Sequence, residues 1–150
     1  MLVSRLGGLS GLNVADLFAG SGALGLEALS RGAAAATFVE RDRTALAALQ
    51  ANVASLGAQD RAVAMAVSAQ HVPSRGSAFD LLLLDPPYDM ADGAAALLEQ
   101  LQAKGWIGPD SMVAYESGVD VPEWGSALTV IADRKVGKAR LTLLRPVGAG

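Results

Sequence analysis

The sequence has no cysteine and only one histidine, His71. Disulfides and thiolate metal centres are excluded, and His71 has no metal-ligand company. It reads as a surface or loop residue, and no metal site is expected. Charged residues are scarce at 18%, so no part of the chain has the composition of a disordered, self-repelling segment. Aromatic residues are fewer still at 5%, and Trp106 and Trp124 read as packing groups, not base-stacking platforms. No apolar run approaches the roughly 20 residues needed to cross a bilayer. The first residues lack a basic segment followed by a long apolar run, so no signal peptide is read there. These absences suit a protein of the reducing cytoplasm with no membrane partner. The net charge of −3 excludes an overall positive coat but leaves room for a local basic face.

What is present is apolar mass: 51% of 150 residues, enough for one domain around a single sizeable core. No internal repeat or long linker interrupts it. Strand and helix patterns alternate, which predicts an α/β fold with a mostly parallel sheet. Asn13 to Phe18 reads as a first buried strand, and Gly20 to Gly25 as a turn into a helix ending near Arg31. A second strand spans Ala35 to Glu40. Asp42 then caps a helix whose Leu46, Leu49, Val53 and Leu56 form one apolar stripe, with Gly57 as its stop. Ala62 to Val67 is a third strand, and Pro73 to Ser77 a loop. Phe79 to Leu84 has the continuous apolar run of a central parallel strand. A helix from Met90 to Lys104, a strand from Ser111 to Glu116, and a closing antiparallel pair at Ala127 to Asp133 and Ala139 to Arg145 complete the pattern.

Two motifs carry chemistry. Gly20-Ser21-Gly22-Ala23-Leu24-Gly25 fits G-x-G-x-x-G between a strand and a helix. Glycines there let the backbone approach a ligand, beside the unpaired N–H groups that open the helix. Glu40, at the end of the second strand, can accept both hydroxyls of a ribose. This loop by itself fits a nicotinamide cofactor or S-adenosylmethionine equally well. Asp85-Pro86-Pro87-Tyr88 separates them. It follows the fourth strand at the sheet edge where α/β ligands bind. Its prolines fix φ and supply no N–H donors, so the turn rigidly aims acceptors at one point. The Asp85 carboxylate and the Pro86 carbonyl suit the two hydrogens of a planar exocyclic amine, and Tyr88 suits stacking on its base. That is the chemistry of amino-group methylation, in which positioning does most of the catalysis.

Asp16-Leu17-Phe18-Ala19-Gly20-Ser21-Gly22, Phe38-Val39-Glu40-Arg41-Asp42 and Leu84-Asp85-Pro86-Pro87-Tyr88 resemble the bacterial 16S ribosomal-RNA guanine-N2 methyltransferases. The run from Ala23 to Ala33 extends the likeness. The resemblance implies a three-layer, Rossmann-like class I methyltransferase fold with a mostly parallel seven-stranded sheet, the last strand antiparallel. It implies S-adenosylmethionine as cofactor, held by Asp16, Phe18, Gly20, Ser21, Gly22, Glu40, Arg41, Ser68, Ala69 and Asp85. It also implies a target guanine at Asp85, Pro86, Pro87 and Tyr88. Two departures stand out. Family members usually carry a basic β-hairpin segment and a helix before the first strand, whereas Met1-Leu2-Val3-Ser4-Arg5-Leu6 begins almost at that helix's end. Ser68-Ala69 stands where the family tends to carry an acid, which weakens the hold on an adenine amino group.

Five of the twelve basic residues fall between 134 and 145, with no acid among them. Arg134, Lys135, Lys138 and Arg140 are candidate nucleic-acid contacts on the closing hairpin, with Val136-Gly137-Lys138 as its turn; an ordinary solvated hairpin face is the competing reading. The expectation is a monomeric methyltransferase acting on a guanine amino group in ribosomal RNA or the small ribosomal subunit. Adenine-N6 methylation of DNA, protein-glutamine methylation and a non-catalytic cofactor- or RNA-binding module remain open alternatives.

Overall fold

Strand and helix alternate from Asn13 to Pro146 in the computed structural model, which describes residues 3–87 and 92–148. The strands are β1 (Asn13–Leu17), β2 (Ala35–Val39), β3 (Ala62–Met65), β4 (Leu81–Leu84), β5 (Met112–Ser117), β6 (Leu128–Val136) and β7 (Ala139–Pro146). They form one seven-stranded sheet in the order β3-β2-β1-β4-β5-β7-β6. The first five are parallel, and β7 runs antiparallel to both β5 and β6. The expected architecture is present, down to the antiparallel last strand.

The helices are α1 (Ala23–Ser30), α2 (Arg43–Ser55) and α3 (Ala94–Ala103). One apolar cluster packs Leu26 and Leu29 of α1 and Leu49 of α2 against Val14, Phe38, Leu81 and Leu83. A second packs Leu97, Leu98 and Leu101 of α3, with Trp106, against Leu17, Leu82, Leu84 and Tyr115. The alternation of 81 and 83 with 82 and 84 is the period-2 side-chain geometry of a strand covered on both faces. The result is a three-layer fold, built because neither helical stripe can bury itself without the sheet.

Asp42 is the cap of α2: its Oδ2 accepts the Ala45 N–H at 2.8 Å. Gly57, at φ 63°, follows the helix as its stop. Four expectations need adjustment. β6 runs on to Val136, past its expected end at Asp133, so Val136 belongs to the strand and the turn is Gly137-Lys138. Leu56 is 64% exposed and leaves the apolar stripe, because it lies past the last turn of α2. β3 stops at Met65, not Val67, being an edge strand with an incompletely buried face. β4 begins at Leu81, since Phe79 and Asp80 are engaged outside the ladder; the Phe79 N–H reaches the Trp106 carbonyl. Met90, the expected start of the third helix, lies outside the described residues. Trp106 is fully buried, and Trp124 packs edge-on to Tyr115 with ring centroids 4.9 Å apart, so both tryptophans are packing groups.

Asp42→Ala removes a capping acceptor and leaves an N–H of the first turn unpaired. Urea unfolding is expected to show a loss of about 1 kcal/mol, as a lower midpoint at unchanged m-value.

Candidate active site

The parallel register brings four side chains to one edge. Leu17 pairs with Val39 and with Leu84, and Leu84 with Tyr115. The residues one step beyond are Phe18, Glu40, Asp85 and Glu116, and all four line a cleft of about 550 Å³. Arg41, Ser68, Ala69, Pro86 and Pro87 also line it, as do Val39, Val67 and Gln70. Phe18 sits at φ 62°, in the left-handed region costly for a non-glycine residue. That turn carries the chain from β1 into the glycine loop.

Glu40 organises the loop. Its Oε1 accepts the Gly20 N–H at 2.8 Å, and its Oε2 accepts the Asp42 N–H at 2.8 Å. One carboxylate therefore ties the glycine turn, the end of β2 and the start of α2 together. Each oxygen keeps a lone pair for a further donor, as a ribose diol requires. Gly20 adopts φ 58°, and a side chain there would meet only open space; Gly22, at φ 90°, packs so closely on Leu49 that any Cβ would collide with it. The two glycines thus serve different ends, one an open approach and the other close helix packing.

Asp16 lies buried beneath the turn, 1% exposed. Its Oδ2 accepts the Gly25 N–H at 3.0 Å, while Oδ1 is buried without a hydrogen-bond partner. Burial pushes its carboxyl up to about 7, against the lowering effect of the Gly25 N–H, and the charges of Asp85 and Glu40 add to the rise. An orphaned carboxylate oxygen fits a cationic donor. Of the expected cofactor contacts, Asp16, Gly20, Ser21 and Gly22 do not line the cleft. Asp85 is raised to about 6, first by desolvation among the strand ends and then by its hydrogen bond to Glu116 and that group's charge. Tyr88 lies outside the described residues.

The Ser68 hydroxyl and His71 Nδ1 are 2.6 Å apart, so the serine already has a local partner. His71 itself is exposed, as expected. A second cleft of about 320 Å³ lies beyond the turn, lined in part by Pro86, Pro87, Tyr115, Glu116, Ser117 and Lys138. Of the expected nucleic-acid contacts, Lys138 alone lines a cleft; it is part of the two-residue turn between β6 and β7. Arg134 and Lys135 are exposed on β6. Arg140 is held by Asp133 at 2.7 Å, an acid one residue before the basic window, which neutralises part of its charge. Glu116 and the second cleft were missed in the sequence. No glycine or proline marks Glu116 in the sequence; its place beside Asp85 comes from the pairing of β4 with β5.

A family model described as conserved hypothetical protein 95 matches residues 3–145. Ribosomal RNA small subunit methyltransferase D of Escherichia coli strain K12 is 38% identical over 109 residues, covering 70% of this chain and 52% of that protein. The chain belongs to this methyltransferase family. It spans about half the length of the curated relatives it matches. The structure of a conserved hypothetical protein from Streptococcus pyogenes superposes with a TM-score of 0.79 at 33% identity, covering 94% of this chain and 89% of that one. The ribosomal protein L11 methylase of Lactobacillus delbrueckii subsp. bulgaricus has the same fold, with a TM-score of 0.78 at 18% identity over 96% of this chain and 74% of that one. The fold is that of the Rossmann-like class I methyltransferases. Among the described residues no helix is long and apolar enough to cross a membrane, and no group of three or more His, Asp or Glu is placed to hold a metal.

The raised carboxyls make stability depend on pH. Asp16 binds its proton more tightly folded than unfolded, so its contribution is complete below the unfolded value near 3.8 and is lost as pH rises through about 7. Asp85 acts in the same direction, through about 6. Thermal midpoints are expected to fall between about pH 5 and about pH 8. Asp16→Asn should flatten much of that slope; an unchanged slope would remove Asp16 as its source.

Proposed function

We propose that the chain is a catalytic domain that uses S-adenosylmethionine to methylate the exocyclic N2 amino group of a guanine in 16S ribosomal RNA. The observation that carries this reading is the wall between the two clefts. Pro86, Pro87 and Glu116 border both, so a donor in the larger cleft and a base in the smaller would meet across the Asp-Pro-Pro turn. The relatives, ribosomal RNA small subunit methyltransferases, support the RNA class.

In this reading Glu40 holds the ribose, Asp16 faces the cationic amino acid end, and Phe18, Arg41, Ser68 and Ala69 surround the rest of the donor. When bound, S-adenosylmethionine supplies a strongly electrophilic methyl group on sulfur. The chain's own work is to prepare the nucleophile. The Asp85 carboxylate and the Pro86 carbonyl accept the amino hydrogens, which draws the nitrogen out of conjugation and turns its lone pair toward the donor. Tyr88, next in sequence, is assigned to stack on the base; such stacking is worth about 1–3 kcal/mol and offsets the cost of unpairing it. Asp85 accepts most strongly when ionised and acts as a donor on one oxygen when protonated, so methylation should decline as pH falls through about 6. Arg134, Lys135 and Lys138 are the phosphate contacts, with Arg140 contributing less because of Asp133.

The test incubates the chain with labelled donor and, separately, unmodified small ribosomal subunits, naked ribosomal RNA and DNA. Label on a guanine amino group in ribosomal RNA or subunits supports the reading. Label in DNA alone overturns it in favour of an adenine enzyme, label in protein points to a glutamine substrate, and donor binding without label anywhere to a non-catalytic module. Asp85→Ala should keep the fold while losing at least about a hundredfold in turnover. Near-normal turnover would remove Asp85 from the mechanism.

A further inference from the structure

The smaller cleft has the make-up of a selective pocket. Its volume of about 320 Å³ sits at the low end of the roughly 300–1,000 Å³ typical of small-molecule sites. Its apolar walls are rigid: Pro86 and Pro87 on the turn, and Tyr115, whose ring is braced edge-on by Trp124. Four polar groups interrupt them: Glu116, Ser117, Asp120 and Lys138. Glu116 offers a carboxylate, and exposed Lys138 a cation. Ser117 is 6% exposed, and its hydroxyl is buried with no hydrogen-bond partner. Such an unpaired group is costly to keep unless something reaches it. Flat walls, a carboxylate and a cation suit a planar base that presents N–H groups and carries a phosphate.

The placement of Glu116 sharpens this. Its neighbour across the parallel ladder is Asp85, because Leu84 pairs with Tyr115. The two side chains hydrogen-bond to each other. Glu116 borders both clefts and Asp85 the larger one, so two adjacent carboxyls at the shared wall are best relieved by two adjacent donors. Among the four RNA bases, guanine alone has a ring N–H directly beside an exocyclic amino group. Adenine and cytosine carry an unprotonated ring nitrogen at the corresponding place, and a carboxylate opposite it would be repelled. Uracil has a ring N–H but no amino group.

We propose that Glu116 is the residue that selects guanine: its carboxylate accepts the base N1–H while Asp85 accepts a hydrogen of the neighbouring amino group. This rests on the guanine reading above and adds to it the group that enforces it. Glu116 is a specificity residue, whereas Asp85 prepares the nucleophile. Lys138 holds the nucleotide's phosphate without regard to the base.

The test titrates guanosine 5′-monophosphate, adenosine 5′-monophosphate and 2-aminopurine riboside 5′-monophosphate into the whole chain saturated with S-adenosylhomocysteine. 2-Aminopurine keeps the amino group and lacks the N1 hydrogen. Amide NMR shifts at Glu116 to Val119 report the smaller cleft, and those at Glu40, Arg41 and Ser68 to Gln70 the larger. The guanine nucleotide should perturb the smaller cleft and bind most tightly. Glu116→Gln, which preserves size, should weaken it about tenfold, the loss of one hydrogen bond to a charged group, and should not weaken the 2-aminopurine nucleotide. Lys138→Ala should weaken all three alike. Shifts confined to the larger cleft, no shifts at saturation, or equal effects of Glu116→Gln on both 2-amino nucleotides would overturn the assignment. Label on guanine in the ribosomal assay together with any of those results leaves the guanine reading standing and removes Glu116. Label on another base removes both.

Discussion

The register of the parallel strands is the constraint on which the rest of the molecule depends. β2, β1, β4 and β5 lie side by side, and their last paired residues align as Val39, Leu17, Leu84 and Tyr115. Neighbouring strands are separated by about 4.8 Å. The next residue of each strand therefore falls into a row: Glu40, Phe18, Asp85, Glu116. A slip of one position in any strand would send its member of the row to the opposite face of the sheet. Buried leucines on both faces of β4 make such a slip expensive, so core packing and site geometry are enforced by the same contacts.

That row is also an electrostatic problem. Three of its members and its buried neighbour Asp16 bring four carboxyl groups together: Asp16, Glu40, Asp85 and Glu116. Backbone donors relieve part of the load. Gly20 and Asp42 donate to Glu40, and Gly25 donates to Asp16. Glu116, by its hydrogen bond and its charge, adds to the desolvation that raises the Asp85 carboxyl. A sheet edge so loaded with acceptors is matched by a ligand that is cationic at one end and rich in N–H and O–H donors elsewhere. The raised carboxyls of Asp16 and Asp85 measure how far this edge is from being satisfied by the protein itself.

Much of this was legible in the sequence because the deciding signals are local. A continuous apolar run bounded by Asp-Pro-Pro reads as a buried strand meeting a rigid turn, and β4 with Asp85 is where it was expected. The cap at Asp42 and the turn at Gly137-Lys138 are equally local. What the sequence hid is set by contacts distant along the chain. Leu56 continues the helical period of α2 yet faces water, because α2 ends a residue earlier. Arg140 reads as a free cation until the hairpin register brings it beside Asp133. The partner of the Ser68 hydroxyl was equally hidden: the short turn after β3 brings His71 to it, while Ser68 still lines the larger cleft.

Glu116 is the instructive case. It ends an ordinary strand pattern, with no glycine or proline to mark it, so nothing nearby distinguishes it from a solvated strand end. Its significance comes from β4 lying next to β5, and that adjacency is a property of the sheet order alone. Once the order is known, the argument that drew attention to Asp85 applies to Glu116 unchanged: both follow a buried residue at the carboxyl edge, and the two buried residues are paired. In the proposed reaction the turn of Asp85 to Pro87 would fix where the amino group sits, because its prolines leave it few conformations. It does not by itself fix which base carries that group. A second acceptor at a fixed lateral offset does, since the offset between adjacent strands has to match the spacing between neighbouring N–H groups on the base. Selectivity of this kind is built into the sheet's order and spacing, whereas the nucleophile's preparation is built into the turn.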